Sequence, residues 1–388
     1  MQFKRVVIKV GSALIAPGAK GCNDKYLADI ARYIEQCHKE NKEVILVSSG
    51  GVAAGRHLIQ HGSPVVSIQT KQAMAAVGQM EMMANWQKLV TVYCSQLLIN
   101  QSDLHDRERY INIKNTIRVL LENNILPVVN ENDTVAIDEL KVGDNDNLAA
   151  LVALVCEADC LIIFSDIDGL FDKDPRSNPD AILLPEVKEI TEEIYAMAGV
   201  TTNVIATGGM KTKIQAAEKA SENGIDTYIV NGTKKEALEQ LLEHKNPGTH
   251  FIASQNIIKA KKHWLKHTLK SSGKVYLDQG AANALVNKGA SLLPSGIVKV
   301  TGKFNRGDSI DLLTDKGIVI AKGISQYETK ELQQIKGKHS VKIEDVLGYS
   351  NSDVIVHRDD MVIIKKKPKT KPKPKAKPKP KTKPKSKK

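Results

Sequence analysis

No apolar run in these 388 residues is long enough to span a bilayer. The first such run is broken by Lys9 and followed by a polar helical stretch, which is not the build of a secretory leader. Cysteine is scarce. The five residues Cys22, Cys37, Cys94, Cys156 and Cys160 make an odd number with no CxxC pair, which reads as reduced, buried thiols of a cytoplasmic protein. No GxxxxGK[ST] occurs, which excludes a P-loop. His357-Arg358-Asp359 has the letters of a protein-kinase catalytic loop, but the Asn that should follow is missing and the surroundings are β-rich, so that reading is discarded. Acid is absent from residues 365–388, which hold 14 of the 56 basic residues. Without them the formal charge of +12 becomes 42 basic against 44 acidic residues, or −2. The basic balance therefore belongs to this tail. Its alternating Lys and Pro cannot bury a core, so a disordered, extended segment is expected.

The remaining sequence has length for two domains. Strand-like and helix-like stretches alternate through its first two thirds: strands at 5–10, 43–47, 96–99, 125–129, 160–164 and 225–230, and helices at 24–41, 65–93, 112–123, 148–154, 214–223 and 234–243. That alternation predicts an α/β fold with a mostly parallel sheet covered by helices on both faces. The methionines Met74, Met80, Met82 and Met83 mark flexible core or a subunit interface more than a cofactor site. Near His250 the texture changes. A basic stretch and Ser271-Ser272-Gly273 read as a linker, followed by a short helix at 280–286 and strands at 296–302, 307–310 and 317–321. This predicts a small β-barrel-like module.

Residues 130–147 stand out. Asn130-Glu131-Asn132-Asp133 and Gly143-Asp144-Asn145-Asp146-Asn147 flank what a hairpin would bring together, just past one strand and just before a helix. One Asp or Asn would cap that helix. A polar turn with redundant caps is the plain reading, and a ligand crevice at the carboxyl end of a strand is the other. Lys9 sits in a strand of buried type and is followed by Gly11, whose lack of a side chain lets a ligand approach the backbone. Ser49-Gly50-Gly51 forms a glycine-rich strand-to-helix turn, and 207–213, Thr-Gly-Gly-Met-Lys-Thr-Lys, opens a helix with paired glycines and cations. Both suit anions, the second polyphosphate. Ser165-Asp166 again places polar groups just past a strand end.

Taken together, these motifs resemble the glutamate 5-kinase group of the amino acid kinase family, whose C-terminal module is often a PUA domain, a type first noticed in RNA-modifying enzymes. The resemblance runs from about Phe3 to about Val362. It rests on residues 8–12, Ser49-Gly50, Lys71-Gln72-Ala73, Asn130-Glu131-Asn132-Asp133, 141–147, Asp174-Pro175-Arg176 and 207–210. Gly51 stands where an alanine is usual, and Lys211 where a small or hydroxyl residue is common. The resemblance implies domains at 1–253 (kinase) and 274–364 (PUA-like), joined by a linker at 254–273. It implies glutamate held by Ser49, Asp133 and Asn145. It implies ATP contacted by Lys9, Ser165, Asp166, Thr207, Gly208, Gly209, Met210, Lys211, Thr212 and Lys213. Lys9 and Lys213 would clamp the transferring phosphoryl group, with Asp146 orienting both and Gly11 and Gly50 offering amides. Mg²⁺ would bridge the ATP phosphates. A homo-oligomer and inhibition by proline are also implied. A related kinase with another acceptor, and an RNA-binding or RNA-modifying protein acting through the module and tail, are the alternatives. The near-neutral folded part lacks the clustered positive charge that an RNA-binding face would carry.

Overall fold

The computed structural model describes residues 1–60, 66–135, 145–198, 209–254 and 271–364. It divides into two compact units, the first ending in the 255–270 stretch that lies outside the described residues.

The first unit is built on an eight-stranded sheet. Its elements are β1 (Arg5–Val10), α1 (Ser12–Ile15), α2 (Asp24–Lys39), β2 (Glu43–Ser48), α3 (Gly51–Gly55), α4 (Ile68–Leu89), β3 (Cys94–Ile99), α5 (Gln101–His105), α6 (Arg107–Glu122) and β4 (Leu126–Glu131). They are followed by α7 (Asn145–Val155), β5 (Cys160–Ser165), β6 (Glu186–Val187), α8 (Glu192–Met197), α9 (Met210–Ser221), β7 (Asp226–Asn231), α10 (Lys235–Leu242) and β8 (Thr249–Phe251). The strand order is β3-β4-β2-β1-β5-β7-β8-β6, and every pairing but β7 with β8 is parallel. The first strand is thus central, with β2 on one side and β5 on the other. The strand order reverses there, and in open α/β sheets ligands bind outside the carboxyl ends of the strands at such a point.

Alternation along β1 assigns its faces. Val6, Ile8 and Val10 join a core cluster with α2, Met82 and Trp86 of α4, and α10, while Val7 joins a second cluster with α7 and α9. Lys9 shares the parity of Val7, so it belongs to the α7–α9 side. Alanines make that side close-packed: Ala149, Ala150 and Ala153 of α7 lie in one buried cluster with Ala216, Ala217 and Ala220 of α9. On the opposite side α3 meets α4 backbone to backbone. A Cβ on Gly78 would overlap the carbonyl oxygen of Gly51 and the amide nitrogen of Gly55, so only glycine fits at that crossing.

The second unit is a five-stranded sheet in the order β10-β9-β11-β12-β13, with β9 Gly273–Leu277, β10 Ile297–Gly302, β11 Ser309–Thr314, β12 Val319–Ile324 and β13 Met361–Ile363. Its own core gathers Val275, Leu277, Phe304, Ile310, Leu312 and Tyr327.

Several boundaries differ from the sequence reading. The helix expected at 148–154 begins at Asn145, because Asn145, Asp146 and Asn147 form its first turn and do not precede it. An acid in that turn meets the positive end of the helix dipole. The helix expected at 112–123 begins at Arg107, capped by Asp106 through the Arg109 amide. The 65–93 stretch is helical from Ile68 to Leu89, with Ser67 accepting the Thr70 amide as its cap. The strand expected at 307–310 runs over Ser309–Thr314. Gly273, read as linker, is the first residue of β9. All five cysteines are free. Burial pushes their thiols up, Cys37 and Cys94 to about 11 and Cys22 and Cys156 to about 12, so none of these four is a thiolate at neutral pH. Among the described residues no helix is long and apolar enough to cross a membrane.

Candidate active site

Three of the expected residues meet in one buried cluster. Lys9 on β1 and Lys213 in the first turn of α9 are each only 5% exposed, and Asp146 in the first turn of α7 is fully buried. Lys9 Nζ pairs with Asp146 Oδ1 at 2.5 Å, and Lys213 Nζ with Asp146 Oδ2 at 3.0 Å. The Thr212 hydroxyl lies 3.1 Å from the same Oδ2 and 2.7 Å from the Gly209 carbonyl. Burial pushes the Asp146 carboxyl up. The charge of Lys9 and then that of Lys213 pull it down further, and the result lies well below the usual carboxylate range. Asp146 is therefore a carboxylate at any physiological pH. Among the described residues two ammonium groups meet on one carboxylate, all three nearly or fully buried. Cations gathered this way suit an anionic ligand.

The loops around the cluster come from neighbouring strand ends. Gly11 follows β1, and its amide donates to the Phe164 carbonyl of β5 at 3.3 Å. The expectation that Gly11 offers a free amide is corrected, because that donor is spent on holding β1 against β5. A Cβ there would stand 3.8 Å from Lys9 Nζ, so the position keeps the lysine's surroundings open. Ser49 follows β2 and donates its amide to Val10 at 3.1 Å. Gly50 has φ +100°, a left-handed conformation that turns the chain into α3. At Gly51 an added Cβ would make only ordinary contacts of 3.6 to 3.7 Å, so the alanine that the resemblance implies would fit.

The two polar clusters of 130–147 do meet. Asn145 Nδ2 donates to Asn130 Oδ1 at 2.7 Å, and Asn130 Nδ2 donates to Gln79 Oε1 on α4 at 2.9 Å. Asp133 lies half-buried just past the end of β4. Residues 136–144, where the sequence suggests a hairpin, lie outside the described residues, as do Thr207 and Gly208. Ser165 is buried at the end of β5 and donates to the exposed Asp166 at 3.2 Å. Gly209 and Met210 are half-buried at the start of α9, and Lys211 is exposed.

Two further polar residues were given no role from the sequence. Asp168 ties Lys234 at 2.7 Å and Asn231 at 2.9 Å, joining the loops after β5 and β7. Gln79 carried no signal, because its helix has no clean polar and apolar faces from which a buried polar residue would stand out.

Comparison with known proteins follows the same division of the chain. The profile described as "Amino acid kinase family" matches residues 4–231, and that described as "PUA domain" matches residues 273–347. A protein of Idiomarina loihiensis named glutamate 5-kinase is 52% identical over 94% of this chain and 98% of its own length. One of Salinibacter ruber with the same name is 51% identical over 93% of this chain and 97% of its own. Among solved structures the chain is similar to a UMP kinase of Bacillus anthracis at 14% identity, with a TM-score of 0.46, over 66% of this chain and 98% of that one. The chain belongs to the amino acid kinase family and groups within it with the glutamate 5-kinases.

Proposed function

We propose that the chain transfers the γ-phosphoryl group of ATP to the side-chain carboxylate of L-glutamate, giving L-glutamyl 5-phosphate and ADP, the first step of proline biosynthesis. The observation that carries this reading is the Lys9–Asp146–Lys213 cluster, set at the carboxyl edge of the sheet in a chain whose nearly full-length relatives bear the name glutamate 5-kinase. The reading as an RNA-binding or RNA-modifying protein leaves that cluster without a use.

A glutamate side chain, with a pKa of about 4.3, is already a nucleophile at neutral pH and needs no general base. The site's work is to hold two anions in line and to neutralise the phosphoryl group as it passes. Lys9 and Lys213 are assigned to the oxygens of that group. Asp146 is assigned to their orientation. A carboxyl held that far below its ordinary range takes no proton from the substrate. Ser49, Asp133 and Asn145 are assigned to glutamate, Asp133 to its α-ammonium. Ser165, Asp166 and residues 207–213 are assigned to ATP, and Gly50 to the turn that closes over the phosphoryl group.

Among the described residues no three His, Cys, Asp or Glu side chains gather as a metal site. Both oxygens of Asp146 already face ammonium groups. Mg²⁺ is assigned to the ATP phosphates, where it would supply charge neutralisation.

The test is ADP release over a panel of amino acids, with hydroxylamine to trap the acyl phosphate. Hydroxamate should form with ATP and L-glutamate. A preference for aspartate or N-acetylglutamate, or no turnover of glutamate, would overturn the reading.

The same reading carries a cytoplasmic location, a homo-oligomer, inhibition by proline near the glutamate site, and the division 1–253, 254–273, 274–364 and 365–388. Sedimentation and proline titration test the oligomer and the inhibition. The Lys/Pro tail is assigned an extended polyanion such as RNA, bound by counterion release. Such binding falls steeply with salt and is lost on deleting 365–388, while kcat stays. Binding that is insensitive to salt would move the contact to the PUA-like module.

A further inference from the structure

Gln79 is 8% exposed on α4, and its carboxamide reaches across to residues of β3 and β4. Its Oε1 accepts from Asn130 Nδ2 at 2.9 Å, and its Nε2 donates to Gln96 Oε1 at 3.3 Å. Asn130, 2% exposed at the end of β4, in turn accepts from Asn145 Nδ2 at 2.7 Å. Four carboxamides therefore run in one direction, Asn145 to Asn130 to Gln79 to Gln96.

Direction matters because each amide has one donating and one accepting end. With Asn130 Nδ2 committed to Gln79, Asn130 presents its oxygen to Asn145. Asn145 must then turn its own NH₂ inward and is left with Oδ1 to offer. An acceptor is what an α-ammonium needs, and an NH₂ in that place would repel it. Without the Gln79 acceptor, Asn130 is free to present either end, and the polarity of Asn145 is no longer fixed. The crossing at Gly78 sets the depth of this relay. It lets α4 approach α3 closely, and Gln79 is the next residue along.

We propose that Gln79 is a positioning residue for the amino acid acceptor, fixing through Asn130 which end of Asn145 meets the substrate ammonium. The proposal rests on the assignment of Asn145 to glutamate.

The experiment is a double-mutant cycle of Gln79→Met and Asn145→Ala, reading KM for glutamate and for ATP separately. Methionine keeps length and volume and removes both hydrogen bonds. Gln79→Met should raise the glutamate KM about tenfold and leave the ATP KM within about twofold, the size expected for one lost hydrogen bond. In the Asn145→Ala background the same substitution should change the glutamate KM by less than about twofold, because nothing remains to be oriented. Gln79→Glu keeps the acceptor for Asn130 and should restore the glutamate KM to within about threefold of the native value. This last variant also decides the matter should Gln79→Met fail to fold: a tenfold rise with the acceptor retained would overturn the relay. Equal effects on both substrates, or the same effect in both backgrounds, would likewise make Gln79 a packing residue. If Asn145→Ala alone leaves the glutamate KM unchanged, the assignment beneath the proposal is what fails.

Discussion

Lys9 and Lys213 share one carboxylate but not one oxygen: Lys9 stands at Oδ1 of Asp146 and Lys213 at Oδ2. The planar carboxylate therefore sets the spacing of the two ammonium groups. Each has three donors, so one carboxylate oxygen does not exhaust either.

Removing either cation should slow the chemistry more than it weakens binding. Lys9→Ala and Lys213→Ala are expected to lower kcat by about 10²-fold or more, as losing a preorganised electrostatic donor does, with smaller changes in KM. Steady-state kinetics with both substrates checks this. A variant with native kcat would remove that lysine from the site.

Asp146 sets a pH dependence. Its folded pKa lies below the ordinary carboxylate value, so its contribution to stability is complete above about pH 4 and is lost as pH falls through the folded value. Asp146→Asn removes the carboxylate charge that both buried ammonium groups share and should cost about 3 kcal/mol at pH 7. Urea unfolding of both proteins should show the gap narrowing from about pH 4 downward. A gap unchanged to pH 3 would mean that ionised Asp146 does not stabilise the fold.

Asp133→Ala should raise the KM for glutamate far more than that for ATP, because a carboxylate beside the acceptor crevice suits an ammonium ion. Product-release assays at fixed ATP and then at fixed glutamate separate the two. Equal weakening would indicate damage to the fold.

Gly78→Ala reverses the usual sign of its substitution. Alanine in a helix normally stabilises by about 0.5–1 kcal/mol over glycine. Here the added carbon meets the backbone of α3, and the overpacking should cost about 1–3 kcal/mol. Calorimetry should show the melting temperature falling by about 5 °C. A rise would show that α3 and α4 can separate freely.

Much of this was legible in the residues, and the exceptions have physical causes. Lys9 announced itself because a lysine in a strand of buried type has few structural uses. The alternation of strands and helices gave the parallel sheet, since both faces of such a sheet must be covered. The first turn of α7 was misjudged because Asn and Asp favour caps and turns in isolation, and the pairing of Asp146 with two lysines outweighed that preference. Gln79 was illegible because its worth depends on Asn130 and Asn145, which are distant in sequence. The spent amide of Gly11 could not be read either, for the partner carbonyl belongs to β5.

The central place of β1 bears on how the chain comes off the ribosome. β2 can pair with one edge of β1 soon after it emerges, but the other edge waits for β5. At about 10 residues per second that is a delay on the order of ten seconds, during which an apolar strand has an open side. Asp146 and Lys213 emerge in turn long after Lys9. The nascent chain cannot gather its charges until nearly the whole first unit is made, and during that interval the open edge of β1 is exposed to pairing with other chains.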